Sequence, residues 1–399
     1  MCIRDRIDMG DQPYWIEQLL KKAEQLKPDA VLITGDVYDR AVPSKEAVDL
    51  LDELLTKFAE KNIPVFIIAG NHDSGSRLAF ADRLLCYQGI YIAGKVKKEA
   101  ACVTLEDTYG SVHFWMLPYF FPAAVNVILN REDLKDYDSA MRALLEEQNI
   151  DFSERNVILS HQFVVSGGKK PKMGGSETTV GGIGQIDSSV FKKFDYAALG
   201  HIHNAQSMGR EQVRYAGSPL IYHFSEIGQK KGLTVVEMKE KGNVQVWVEK
   251  ISMLHEMCEI SGTLEEILQS DVKRNSYVRA VIKQEMLPPQ AVETLRLHFE
   301  SKDCILMEAV RDVSGDRKKC ADRNKKDIRT LSLEELFAEF YSYQQNGSLP
   351  DGETEKLIAF AAEQTRNGCS SDETETGRKQ AAMQLIEYAV KCRNGERRS

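Results

Sequence analysis

Four short apolar runs in the first half of this chain each end on residues that bind or move charge. Gly35-Asp36-Val37-Tyr38-Asp39 follows Val31-Leu32-Ile33, and Gly70-Asn71-His72-Asp73 follows Val65-Phe66-Ile67-Ile68. Ser160-His161 follows Val157-Ile158-Leu159, and Gly200-His201-Ile202-His203 follows Ala197-Ala198-Leu199. Apolar runs of this length read as buried strands. In α/β sheets, ligands bind outside the carboxyl ends of strands. The four segments are therefore expected to converge on one crevice, bringing carboxylates, an amide, imidazoles and glycines that let backbone approach closely.

The rest of the pattern supports a layered α/β domain. Trp15, Leu19, Leu20, Ala23 and Leu26 recur at helical spacing, as do Ala47, Val48, Leu51, Leu54, Leu55 and Phe58. Val112–Leu117 reads as a further buried strand, and helices alternating with such strands form layers. After Gly200 the chain turns strand-rich: Val213–Ala216, Leu233–Met238 and Val244–Val248 are expected to close the same sheet system. From Leu254 the order is helix (Leu264–Leu268), strand (Tyr277–Lys283), helix (through His298) and strand (Cys304–Val310), which suggests a small α+β domain. Residues 312–330 are charge-dense and read as a linker. Ser332 and Glu335 form a capping box before Leu333, Leu336, Phe337 and Phe340. Further helices are expected at 353–365 and 377–392. The expected domains are thus 1–253, 254–311 and 331–399, with the linker between the last two.

Composition narrows the setting. The 399 residues are 42% apolar and 28% charged, and none of the apolar runs approaches the length of about 20 residues that a membrane span needs. The opening residues have no apolar core of a signal peptide. Eight cysteines are scattered without a Cys-x-x-Cys pair, which argues against a zinc ribbon and for reduced thiols in a cytoplasm. At a net charge of −8, any binding of nucleic acid has to come from a local basic patch or another subunit.

Carboxylate, amide and imidazole without thiolate suit a divalent ion such as manganese, iron or zinc. One aspartate can bridge two such ions, which clamp the attacking and leaving oxygens of a phosphoryl group. Each piece also has a plainer reading. Gly-Asp after a strand is often a turn, Asn-His-Asp can cap a helix, and His161 can be an interior histidine with a satisfied partner. Gly-His-x-His is sharper, because alternate residues of an extended segment share one side. Residues 167–184 are glycine-rich but lack a nucleotide P-loop. Lys169, Lys170 and Lys172 there are candidates for phosphate contacts, as are Lys273, Arg274, Arg279 and Lys283 in the small domain.

Gly-Asp-x-x-Asp, Gly-Asn-His-Asp, His and Gly-His-x-His, in this order, resemble the signature of the calcineurin-like metallophosphoesterases. The segments around them, with Tyr215-Ala216-Gly217-Ser218-Pro219-Leu220, Phe224-Ser225-Glu226 and Lys231-Gly232, look like the SbcD-type nuclease subunits. The resemblance implies a four-layer β-sandwich flanked by helices, a small α+β cap domain that helps place DNA, and C-terminal helices. It also implies two divalent ions, expected to be manganese. Asp36 would bridge them, with Asn71, His161 and His201 completing one site and His203 joining the other. His72 would protonate the leaving group, and Asp39 would hold His72 in orientation; Asp73 is read as structural. The implied partners are DNA and an SbcC-type ATPase, in a heterotetramer containing a homodimer of this subunit. The helices at 332–344 and 353–365 are candidates for docking the ATPase. The implied activity is exonuclease on duplex DNA and endonuclease on single strands and hairpins, in DNA repair, recombination and replication.

The family begins with a strand carrying Asp-x-His, and no Asp-x-His stands before Tyr14 here. Ile7–Leu20 resembles the segment that follows that motif, and the opening six residues look foreign to the family. The sequence therefore reads as truncated or misassembled at its start, without a central strand and two ligands of the first metal. Two-metal hydrolysis is then expected to be severely weakened, and an inactive structural subunit is the alternative. A small-molecule phosphoesterase is a further alternative, against which the long C-terminal extension argues.

Overall fold

A computed structural model describes residues 10–174, 184–284, 288 and 290–312, with isolated positions beyond them. The chain divides into two compact units, 1–310 and 311–399. The linker expected at 312–330 and the helices expected at 332–344, 353–365 and 377–392 lie, apart from single positions, outside the described residues.

The first unit opens with α1 (Asp11–Leu26), β1 (Val31–Ile33), α2 (Lys45–Glu60), β2 (Val65–Ile68), the single turns α3 (Gly75–Leu78) and α4 (Asp82–Leu85), and β3 (Ile90–Ala93). The three strands form a parallel sheet in chain order. There follow β4 (Ala101–Asp107), β5 (Gly110–Leu117), α5 (Pro122–Leu129), α6 (Tyr137–Glu146), β6 (Arg155–His161), β7 (Val164–Val165), β8 (Ile186–Asp187), β9 (Tyr196–Gly200), β10 (Gln206–Met208) and β11 (Arg210–Tyr215). Six of them make the second sheet, in the order β10-β11-β9-β6-β5-β4.

Strand periodicity explains why the two sheets stack. On β2, Val65 and Ile67 pack with Leu19 and Ala23 of α1 and Leu54, Leu55 and Phe58 of α2. The alternate residues Phe66 and Ile68 point the other way, onto Phe114, Met116, Val157, Leu159, Tyr196 and Ala198 of the second sheet. That sheet's opposite face, Ile158, Ala197 and Leu199, packs with Val125 of α5 and Ala140, Met141 and Leu144 of α6. Successive residues of a strand face opposite sides, so a strand covered on both sides must be apolar throughout. The result is the expected four-layer sandwich of helix, sheet, sheet and helix. Helix starts are set locally: the Ser44 side chain accepts from Ala47 N at the head of α2, and Asp136 caps α6 in the same way.

One expectation is corrected. β12 (Gly232–Met238) and β13 (Val244–Lys250) do not extend either sheet; they form a separate antiparallel hairpin. Val236, Met238 and Val246 from this hairpin pack on the core between the sheets, which is why they are apolar. The strands β3, β4 and β14 (Glu256–Gly262) were not expected from the sequence, and each lies at a sheet edge. An edge strand has one neighbour, so β4 and β14 mix polar residues into their runs and β4 is mostly exposed, whereas the four residues of β3 are apolar throughout.

In the small domain, α7 (Leu264–Gln269), β15 (Ser276–Ile282), α8 (Ala291–Glu300) and β16 (Ile305–Arg311) follow β14. β15 is central in a sheet ordered β14-β15-β16, and Ile267, Leu295 and Phe299 cover it with a core of their own. Thr263 and Glu266 close a full capping box on α7. This domain nevertheless shares the compact unit 1–310. Phe224, Met257, Tyr277 and Met307 form a small junction core. The buried Asp11 carboxylate, at the head of α1, accepts hydrogen bonds from Tyr277 Oη and from His255 N and Nδ1 at 3.3 and 3.0 Å. Among the described residues, no helix is long and apolar enough to cross a membrane.

Candidate metal centre

Parallel pairing brings the strand ends together. β6 and β9 run in register with His161 opposite Gly200, and β1 and β2 with Ile33 opposite Ile67. The first pair ends one sheet and the second pair ends the other. They meet where His161 Nδ1 donates to Thr34 O at 2.7 Å. Such close approach demands glycine. A Cβ on Gly35, which also has φ +93°, would lie 2.3 Å from His161 Nδ1, and one on Gly200 would lie 1.8 Å from Thr34 O.

Past the strand ends, Asp36 (φ 50°) and His201 (φ 94°) adopt left-handed backbone conformations rare outside glycine. Such strain concentrates at functional sites. The Asp36 carboxylate accepts from His72 N at 3.0 Å and meets His161 Nε2 at 3.3 Å. Asn71 Oδ1 lies 3.1 Å from His161 Nε2 and 2.9 Å from His201 Nδ1. Ligand atoms of Asp36, His161 and His201 all lie within 4.8 Å of one another.

The electrostatics fit a site that wants a cation. Burial would raise the Asp36 carboxyl, but the positive charge and hydrogen bond of His161, and the His72 N–H, hold it well below the ordinary carboxylate range. Burial would lower the His161 imidazole, but the Asp36 charge raises it instead. His161 gives Nδ1–H to Thr34 O, and its Nε2 faces the Asp36 carboxylate and the Asn71 amide oxygen. Those oxygens and that Nε2 are the lone-pair donors a divalent ion would take, and its charge would then replace the proton that Asp36 favours on His161. Hard and borderline donors without thiolate suit manganese, iron or zinc, so the residues present fit a metal ion.

His72 stands exposed at the rim, and its Nδ1 donates to Asp39 at 3.0 Å. The acceptor is the main-chain carbonyl of Asp39, whereas the Asp39 carboxylate lies 3.8 Å from Arg40 Nε. Asp73, read as structural, ties the two aspartate-bearing loops together: its oxygens accept from Val37 N (3.2 Å), Tyr38 N (2.9 Å) and Gly70 N (2.8 Å). Burial pushes the Asp73 carboxyl up against the pull of these N–H groups.

His203 is placed differently. It is buried and lies outside the group of mutually close donors around Asp36; its Nδ1 meets Glu226 Oε1 at 2.8 Å. Burial favours protonation of Glu226, but His203 and Lys231 together hold its carboxyl down to about 2. The segments holding Glu226 and Lys231 carried part of the resemblance, yet the sequence assigned them no role. Tyr119 was also missed, since it follows β5 without a motif. Its ring sits edge-on to His161 with centroids 6.3 Å apart, and burial pushes its phenol up.

Three of the small domain's candidate phosphate contacts already have carboxylate partners. Lys273 pairs with Glu256, Arg274 with Asp303 at 3.8 Å, and Arg279 with Glu259 and Glu308 at 3.0 and 2.9 Å. This favours the plainer reading of a solvated, ion-paired face. The chain start, where the first strand is expected to be missing, falls in residues 1–9, outside the described residues.

Comparison with known proteins identifies the family. Residues 8–205 match the calcineurin-like phosphoesterases, and residues 253–345 match the Type 5 capsule protein repressor C-terminal domain. The chain is 31% identical over 277 residues to the SbcD component of the nuclease SbcCD from Staphylococcus epidermidis (strain ATCC 12228 / FDA PCI 1200), an alignment covering 67% of this chain and 72% of that protein.

Proposed function

The chain belongs to the SbcD-type nuclease subunits of the calcineurin-like phosphoesterases, and from that premise we propose a manganese-dependent DNA phosphodiesterase, exonucleolytic on duplex ends and endonucleolytic on single strands and hairpins. The observation that carries this reading is the convergence of Asp36, Asn71, His161 and His201 from four strand ends. These four would hold one ion, and Asp36 would be shared with a second that His203 joins. Bound there, the ions would polarise the phosphoryl group and lower the pKa of water. The chain's own part is orientation and proton transfer. The Thr34 carbonyl fixes the His161 tautomer with Nε2 inward. The Asp39 carbonyl accepts from His72 Nδ1–H, so a doubly protonated ring would carry its second proton on Nε2 and hand that one to the departing alkoxide.

The test is manganese-dependent cleavage of linear duplex DNA beside bis-p-nitrophenyl phosphate. Hydrolysis of the small ester without DNA cleavage would point to a small-molecule enzyme. Manganese binding without hydrolysis of either would point to a structural role. His72→Ala is expected to lower DNA cleavage by about 10²–10⁴-fold, the usual worth of a positioned acid. Asp39→Ala keeps its carbonyl and is expected to lose less than about tenfold. Equal losses in kcat would show that the Asp39 carboxylate matters more than this geometry implies.

For partners we propose DNA and an SbcC-type ATPase, in a heterotetramer built on a homodimer of this chain. Phe80, Leu84 and Tyr87 support the homodimer: they are 80%, 70% and 83% exposed on adjacent turns. Large apolar side chains clustered in this way mark interaction surfaces. Leu84→Asp with Tyr87→Glu is expected to halve the mass measured by light scattering, and a dimer that survives both changes would place its interface elsewhere. A cytoplasmic location agrees with the free thiols of Cys86, Cys102, Cys258 and Cys304.

A further inference from the structure

A buried ion pair lies behind His203. Glu226 is fully buried, and Lys231 is 6% exposed. Glu226 Oε1 meets His203 Nδ1 at 2.8 Å, while Oε2 accepts from Lys231 Nζ at 2.9 Å and from Tyr222 N at 3.2 Å. Lys231 Nζ also donates to His203 O at 2.9 Å, Ser218 Oγ at 2.7 Å and Gln229 Oε1 at 2.9 Å. Ser218 N donates to the same His203 carbonyl at 3.0 Å. One pair therefore grips His203 twice, the carboxylate on its ring and the ammonium on its main chain.

Stability alone does not explain such a pair. Well-packed apolar residues usually serve a core as well as a buried salt bridge or better. What a carboxylate on Nδ1 does achieve is chemical: it puts the proton on Nδ1 and leaves the lone pair on Nε2. A neutral histidine side chain in water prefers the opposite arrangement, with its proton on Nε2. We propose that Glu226, anchored and charge-balanced by Lys231, is a positioning residue that fixes His203 with the Nε2 lone pair presented to a divalent cation. The cation half of this inference rests on reading His203 as a metal ligand; the tautomer is a property of the chain alone.

The full chain without metal, at a pH well above imidazole titration, is suited to long-range ¹⁵N–¹H correlation of its histidine rings, with His203→Ala identifying the His203 signals. The wild-type ring is expected to carry its proton on Nδ1. In Glu226→Ala the proton should move to Nε2, and calorimetric manganese titration should show affinity lower by about 10–100-fold, the usual loss for a residue behind a ligand. A wild-type proton on Nε2 overturns the proposal without recourse to any variant, as does a proton that stays on Nδ1 in Glu226→Ala. Unchanged manganese affinity in Glu226→Ala, where His203→Ala binds more weakly, overturns the cation role of Glu226. Unchanged affinity in His203→Ala instead overturns the ligand assignment beneath it.

Discussion

Asp36→Asn is expected to lower manganese-dependent phosphodiester hydrolysis by about 10³-fold or more, equivalent to roughly 4 kcal/mol of transition-state stabilisation. Asp36 is the acidic member of the close donor group and the proposed bridge between two ions. Asparagine keeps an oxygen for the His72 N–H and removes the charge that favours a proton on His161 Nε2, so its amide NH₂ can donate to that lone pair. The substitution is informative because it isolates charge. Asp36 sits at φ 50°, and asparagine tolerates left-handed backbone as readily as aspartate. The melting temperature should therefore hold while manganese affinity and turnover fall together. Activity within tenfold of wild type, in a protein that still binds manganese, would remove Asp36 from the centre of the mechanism.

The second large effect is on stability. Lys231→Met is expected to destabilise the fold by about 3–5 kcal/mol, because it strands the buried Glu226 carboxylate without its cation. At about 2–4 °C per kcal/mol for a domain of this size class, melting should fall by roughly 10 °C. Pairing Lys231→Met with Glu226→Gln should recover much of that loss, since the two residues share one interaction. The acid response follows from the depressed Glu226 carboxyl. In wild type its stabilising contribution is complete above the ordinary value of 4.5 and fades as pH falls through about 2. Without Lys231 that fading should begin at higher pH. Thermal melts of both single variants and the double variant between neutral and acid pH would check this, and additive single effects would show that the pair does not act as a unit.

The sequence determined the layers and the strand ends. Apolar runs such as Val65–Ile68 and Val157–Leu159 are local signals, and burial on both faces makes them continuous, so the strands and the polar tips that follow them were legible before folding. Edge strands such as β4 and β14 were not, because one open side lets polar residues in. Tertiary structure alone decided which tips meet and how. Parallel register aligns the strand ends within each sheet, and the two sheets then meet so that Asp36 and Asn71 reach His161 and His201, more than a hundred residues on at the His161–Thr34 and His201–Asn71 contacts. That His72 leans on the Asp39 carbonyl rather than its carboxylate, and that His203 faces Glu226, depends on the chain's path beyond the strands. A strand's period of two fixes which face a side chain takes only while the strand lasts. Past its end, backbone angles such as those of Asp36 and His201 set the direction, and they answer to long-range packing that no local pattern encodes.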